Sequence, residues 1–263
     1  MVTVADILDF IQKIAPAEMK ESWDHVGLNC GRMSQPVSKV LVALDPVAEV
    51  CMEAKSIGAN LLITHHALLW TPDFITDIDA QGRNTLFLIE NNIACINAHT
   101  NLDCAPGGVN DILAETLGLQ QVQVIAPKGT DVQGRPWGLL RQGTVDEQPL
   151  ENFLDLVKKR LGCNGLRYVS SGNSVQKVAV GGGACASEMQ QAVNAGCDTF
   201  VTADVKYNQF WDAKELGLNL IDAGHFHTEN PVCAYLANRL QEAFPDLTVV
   251  LSTKHTDCAK FFL

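Results

Sequence analysis

Asn60-Leu61-Leu62-Ile63-Thr64-His65-His66 carries an apolar run straight into two adjacent imidazoles. Side chains in an extended strand alternate between its faces. His65 and His66 can therefore serve one centre only where the strand has ended and the backbone turns, at the C-terminal edge of a sheet. Upstream, Val40-Leu41-Val42-Ala43-Leu44 is a β-branched run stopped by Asp45-Pro46. Val50, Cys51, Ala54 and Ile57 then recur at helical spacing before Gly58, a residue suited to a helix C-cap. Strand, helix, strand predicts a parallel βαβ crossover. Residues 84–91 predict another helix, residues 93–98 another buried strand, and residues 110–117 a helix ended by Gly118. The fold class expected is α/β, with largely parallel or mixed sheets.

The same order returns later in the chain. Without gaps, Val37 aligns with Val175, Lys39 with Lys177, Val40 with Val178, Val42 with Val180, Ala54 with Ala192, Gly58 with Gly196 and Thr64 with Thr202. Allowing one inserted residue, Cys95-Ile96-Asn97-Ala98-His99 aligns with Leu220-Ile221-Asp222-Ala223-Gly224-His225. Strand-helix-strand units share composition, which is the competing explanation. The shared register, capping glycine and terminal histidine favour an internal duplication. Breaker-rich sequence from Ala126-Pro127 through Arg135-Pro136 puts the boundary between the halves, giving a first α/β half over residues 1–127 and a second over 128–263. In the second half, residues 138–144, 150–161 and 166–170 read as strand, helix and strand, and residues 248–252 as a strand that closes a sheet.

Composition narrows the function. A chain of 263 residues, 47% of them hydrophobic, can bury a sizeable core. Thirty acidic against nineteen basic residues give a formal charge of -11, which repels a phosphate backbone and makes nucleic acid a poor partner. The nine cysteines include no Cys-x-x-Cys pair and several sit in apolar runs, which fits reduced thiols in a cytoplasmic protein. Thr3 and Asp6 have the spacing of a capping box, with Ile7, Leu8, Ile11 and Ile14 on one face of the helix that follows. Asp6, Asp9 and Lys13 interrupt that segment, which argues against a signal peptide. No apolar run approaches the ~20 residues that span a bilayer, so a soluble protein is expected.

An isolated histidine pair is readily explained as core or surface residues. Here His99, Asp103, His225 and Glu229 also follow strand-like runs, and ligands of open α/β sheets bind beyond the carboxyl ends of the strands. The expected metal site therefore lies at those strand ends, between the halves. Asp103 follows His99 by four residues and Glu229 follows His225 by four, which aligns each pair on one face if the segment is helical. Pro231 favours a different local reading, with Thr228 as N-cap and His225 in the preceding loop. Imidazole and carboxylate without thiolate suit zinc, iron, manganese or nickel. So many donors exceed one tetrahedral site and suit two divalent ions about 3.5–4 Å apart. Such a centre stays electropositive and would draw a small anionic substrate, a nucleotide or phosphoester, to an acidic chain. His99 is the candidate catalytic acid or base, since imidazole titrates near neutrality. His25, His227 and His255 are left outside the site. Gly181-Gly182-Gly183 reads either as a tight strand-to-helix turn or as an anion cradle.

The stretches Ser22-Trp23-Asp24-His25-Val26-Gly27-Leu28, Gly58 through His66, His99-Thr100-Asn101-Leu102-Asp103-Cys104-Ala105-Pro106-Gly107-Gly108-Val109-Asn110 and Gly224-His225-Phe226-His227-Thr228-Glu229 resemble the dinuclear metal-centre family of GTP cyclohydrolase I type 2 homologues, the NIF-three-like proteins. The resemblance spans nearly the whole chain. It implies metal ligands at His65, His66, Asp103, His225 and Glu229, with Glu229 touching both ions and His99 beside them as ligand or proton carrier. It also implies a homo-oligomeric ring, commonly a hexamer. The leading expectation is a two-metal hydrolase; the alternative is a non-catalytic metal-binding or scaffold ring that docks a partner.

Overall fold

Thr3 caps the first helix as its spacing to Asp6 predicts. The Thr3 hydroxyl accepts from the Asp6 amide, and the Asp6 carboxylate accepts from the Thr3 amide at 2.8 Å. That helix, α1 (Val4–Ile14), buries Val4, Ile7, Leu8 and Ile11. A computed structural model describes residues 1–70, 72 and 74–262. After α1 come β1 (Gly27–Cys30), β2 (Lys39–Ala43), α2 (Ala48–Ser56), β3 (Leu61–Thr64), α3 (Ala80–Glu90), β4 (Ala94–Asn97), α4 (Thr100–Cys104) and α5 (Val109–Thr116). Then follow β5 (Gln120–Ile125), β6 (Gly129–Thr130), β7 (Pro136–Trp137), β8 (Leu140–Gln148), α6 (Leu150–Leu161), β9 (Arg167–Val169), β10 (Val175–Val180) and α7 (Met189–Asn194). The chain ends with β11 (Thr199–Thr202), α8 (Tyr207–Glu215), β12 (Asn219–Asp222), α9 (His225–Glu229), α10 (Pro231–Ala243) and β13 (Thr248–Leu251).

Two compact units result, Met1–Leu102 with Val232–Thr256, and Asp103–Pro231 with Asp257–Leu263. These compact units do not follow the boundary expected at 127/128. The first unit ends at Leu102, so Asp103 belongs to the second, and Val232–Thr256 returns to the first because β13 pairs in parallel with β2. Pairing of that kind joins residues about two hundred positions apart and leaves no mark on local sequence. The breaker-rich residues 126–136 instead lead into and out of the small antiparallel β6–β7 ribbon inside the second unit.

In the first unit the strand order is β1-β4-β3-β2-β13, with β2, β3, β4 and β13 parallel and β1 antiparallel on β4. Every residue of β3 and β4 is buried, as expected where helices cover both faces of a parallel sheet. Leu41, Ala43, Leu62 and Cys95 pack with Val50, Cys51 and Ala54 of α2 and Leu88 of α3.

In the second unit the order is β5-β8-β10-β11-β12-β9, with β10, β11 and β12 parallel. Residues on one face (Val178, Val180, Val201, Ile221) meet α5 and α6, and those on the other (Ala179, Phe200, Leu220) meet α7 and α8. The order β9-β12-β11-β10 repeats β1-β4-β3-β2, including the antiparallel edge strand. Both units therefore share one connectivity, and β11 occupies the residues that the internal alignment pairs with β3.

All cysteines of the described residues are free thiols, buried except Cys258. Burial pushes the Cys30 thiol up to about 11 and the Cys51 thiol up to about 12, which keeps both protonated and unreactive. No helix among the described residues is long and apolar enough to cross a membrane.

Candidate metal centre

β3 ends at Thr64, and the next two amides abandon strand geometry. Both His65 N and His66 N donate to Leu44 O, at 3.2 and 3.0 Å, while the Thr64 hydroxyl donates to His66 O at 2.7 Å. This turn cancels the alternation that would send the two rings to opposite faces, and their centroids lie 4.9 Å apart. His99, just beyond β4, brings its ring within 5.1 Å of His65 and 5.5 Å of His66. One ring nitrogen from each of His65, His66 and His99 falls within 4.8 Å of the others.

The orientation of these rings is set by oxygen acceptors. His65 Nδ1 lies 2.8 Å from Ala98 O, and a carbonyl only accepts, so Nδ1 carries a hydrogen there. His66 Nδ1 lies 2.6 Å from Asp45 Oδ1, and His99 Nδ1 lies 3.0 Å from Asp24 Oδ1. Asp24 is 1% exposed. Burial alone would raise its carboxyl, but hydrogen bonds from His99 and Thr100 hold it well below the usual carboxylate range. Asp45 is likewise held low against burial by His255 and His66. A buried carboxylate behind an imidazole fixes its tautomer and strengthens its donor nitrogen.

The loop that carries Asp24 is tied to the end of β4. Asn97 Oδ1 accepts from Gly27 N at 3.1 Å and from Asn29 Nδ2 at 2.9 Å, and Asn97 Nδ2 donates to His25 O at 3.0 Å. The Trp23-to-Leu28 stretch is thus the scaffold for His99.

In the second unit, α9 begins at His225, so His225 and Glu229 share one helical face and Nε2 lies 3.0 Å from Oε2. The alternative with Thr228 as N-cap is corrected: Gly224 precedes the helix at φ +84, and Pro231 opens α10, where its missing N–H costs no hydrogen bond. His225 Nδ1 lies 2.7 Å from Asp204 Oδ2, which repeats the aspartate-behind-imidazole arrangement of the first unit. Asp103 and Glu229 bring carboxylate oxygens within 4.8 Å of each other. Asp103 is placed by buried contacts: Asn110 Nδ2 donates to Asp103 O, and Arg141, 1% exposed, donates to Cys104 O and Ala105 O at 3.2 and 3.1 Å.

Gly181 to Gly183 form a turn and not an anion cradle. Their amides are taken by Val201 O, by Asn110 Oδ1 at 2.7 Å and by Thr228 Oγ1 at 3.0 Å. Gly183 has φ +64, and a Cβ there would lie 2.2 Å from Glu229 Oε1 and 3.1 Å from His225 Nε2. The glycine keeps space open beside two candidate donor atoms.

These donors fit a borderline or hard divalent ion: imidazole Nε2 atoms with Nδ1 committed elsewhere, and carboxylates with no thiolate among them. Cys185 does not add one, because burial first, then the charges of Asp103 and Glu229, push its thiol well up.

A profile of the Duf34/NIF3 (NGG1p interacting factor 3) family matches residues 2–258. The chain belongs to this family. A Clostridium perfringens protein named GTP cyclohydrolase 1 type 2 homolog is 37% identical over 262 residues, 97% of this chain and 98% of its own. A Streptomyces coelicolor protein of the same name is 37% identical over 98% of this chain and 93% of its own. The crystal structure of a Bacillus cereus protein related to NIF3 superposes with a TM-score of 0.93 at 28% identity, covering 100% of this chain and 99% of that one.

Sequence reasoning about this Duf34/NIF3 chain missed Asp24, Asp45 and Asp204. Two of them carried a legible signal: Asp45 and Asp204 follow the carboxyl ends of β2 and β11, the position that singled out the histidines. The remaining histidines divide. His25 is exposed, and His227 pairs with Asp257 at 3.2 Å. His255, left outside the site by the sequence reading, lies 3.0 Å from Asp45, the carboxylate that also holds His66.

Proposed function

We propose that this protein is a two-metal hydrolase acting on a small anionic substrate, a nucleotide or phosphoester. The residues that would hold the ions are His65 and His66 of the first unit and Asp103, His225 and Glu229 of the second. The observation that carries this reading is the treatment of the imidazoles: His65, His66 and His225 each commit Nδ1 to an oxygen acceptor, and each belongs to a group of histidine and carboxylate side chains whose ligand atoms lie within 4.8 Å of one another. Histidines that merely fill a core have no need of that shared polarity. When bound, a pair of divalent ions supplies Lewis acidity to the phosphorus or ring carbon under attack and to the attacking water.

The chain's own side chains do the rest. Asp24 fixes the hydrogen of His99 on Nδ1, leaving Nε2 to take a proton from the attacking water and return it to the leaving group. Asp45 and Asp204 hold their imidazoles against rotation. Asp103 and Glu229 bring negative charge that offsets the ions, and the surplus positive charge attracts the anion. The cyclohydrolase name of the relatives agrees with a nucleotide at the reacting end. Family membership supports assembly as a homohexameric ring, and the buried free thiols support a reducing, cytoplasmic setting.

The test is to load purified protein with zinc, iron, manganese or nickel, count ions per chain by elemental analysis, and screen nucleotides and phosphoesters against native, His65→Ala and Glu229→Gln proteins. Two ions per chain, with turnover lost in both variants while assembly persists, is the expected result. Two ions without turnover of any substrate would favour the scaffold alternative. Equal turnover in native and variant proteins would place the chemistry elsewhere.

A further inference from the structure

Trp23 is 60% exposed although the loop that carries it is tied to Asn97 at the end of β4 through Gly27 and His25. An indole left in water at a rigid site has a cost that binding can offset. Its surroundings are aromatic. The Trp70 ring lies 6.3 Å away at an interplanar angle of 31°, and both indoles present to the His99 ring in edge-on geometry, at 5.9 Å for Trp23 and 5.1 Å for Trp70. Trp70 is also a wall of an open cleft of about 740 Å³ that includes Leu69, Phe74 and Ile78. The other strongly exposed tryptophan, Trp211, already has the Lys214 ammonium over its ring at 5.4 Å.

We propose that Trp23 and Trp70 form a stacking subsite for a planar heteroaromatic ring carried by the substrate. This deepens the hydrolase reading and rests on it for the identity of the reacting end: His99 stands at the junction between the imidazole cluster and the indole pair, so one molecule can place its anionic group at the donors and its ring on the tryptophans. The subsite selects a base-bearing anion over a sugar phosphate of similar charge. Stacking of one base on an aromatic side chain is sequence-tolerant, because every base has a π-face, so the indoles select for a ring without choosing which one.

The experiment is a binding titration with adenosine monophosphate, guanosine monophosphate and ribose 5-phosphate, followed by tryptophan fluorescence and calorimetry, with metal content measured on the same samples. Native protein is expected to prefer the nucleotides over ribose 5-phosphate by roughly tenfold or more, the scale of one base–aromatic stack. Trp23→Ala should erase most of that preference with metal content and ribose 5-phosphate affinity unchanged, while Trp23→Phe keeps part of it. Trp70→Ala, read the same way, serves if the Trp23 variant does not fold. Equal affinities for nucleotide and sugar phosphate, a preference that survives both alanine variants, or no measurable binding of either ligand overturns the proposal. Native protein that takes up no metal from any of the loading solutions yet keeps the nucleotide preference would sink the two-metal reading and leave the stacking subsite standing.

Discussion

Asp204 is more than half exposed, yet it holds His225 Nδ1 at 2.7 Å, and Asp45 does the same for His66 from a more sheltered position. Carboxylates of this kind behind a metal-binding imidazole are worth about 10–100-fold in metal affinity. Asp204→Ala should therefore weaken binding of zinc or manganese by that factor in competition with a chelating indicator, with little change in unfolding midpoint; an unaltered affinity would mean that His225 is not a ligand. Gly183 gives a complementary prediction. Its φ of +64 alone makes Gly183→Ala costly by about 1–2 kcal/mol, and the new methyl would also press on Glu229 and His225. A denaturant titration should show the stability loss, and elemental analysis should show depleted metal. Full metal content in a folded Gly183→Ala protein would show that the space beside Glu229 is not used.

At the scale of elements, β8 contributes a buried arginine, Arg141, that organises the turn after Asp103. Arg141 Nε donates to Asp111 Oδ1 at 2.7 Å and Nη2 to Asp111 Oδ2 at 3.0 Å, while Nη1 reaches Gly138 O at 2.6 Å. The planar fork joins α5, β8 and the segment that follows α4, a geometry an ammonium cannot reproduce. Arg141→Met should cost about 3–5 kcal/mol in unfolding free energy, toward the lower end because the Asp111 side chain keeps 29% of its exposure. Arg141→Lys should recover little of it; full recovery would reduce the role of Arg141 to charge alone. Elements were also where reading the sequence worked best and where it stopped. Leu150–Leu161 was legible at both ends, because its apolar spacing and the Gly162 that terminates it are local signals. Of the edge strands, β9 falls inside the strand expected at residues 166–170, whereas β1 was not read from the sequence, and the partners of both lie elsewhere in the chain: β1 pairs with β4 and β9 with β12.

On the scale of the whole molecule, the first unit closes on itself through its last strand. Glu53 on α2 receives the chain leaving β13, accepting from the Ser252 hydroxyl, from Thr253 N at 3.0 Å and from Thr253 Oγ1 at 2.9 Å. Burial pushes the Glu53 carboxyl up, but these donors outweigh it and hold the group below the ordinary glutamate value. A carboxyl depressed in the folded state stabilises fully above its unfolded value, about 4.3, and the contribution fades as pH falls below that. Glu53→Gln should flatten the loss of stability on acidification from about pH 5 to 3, and the hydrogen-exchange protection factor of the Thr253 amide should fall in the native protein over the same window. A variant with an unchanged acid profile would show that the tail is held by β13 alone. What the amino-acid order determined by itself was the α/β class, the main strands and helices, the recurrence of one strand-helix-strand order and the family, because periodicity, caps and motif spacing act over a few residues. What only the tertiary structure decided was the division at Leu102, the return of β13 to β2, and the aspartates that stand behind the histidines. Those depend on which distant segment supplies a hydrogen-bond partner, and no local pattern encodes that choice.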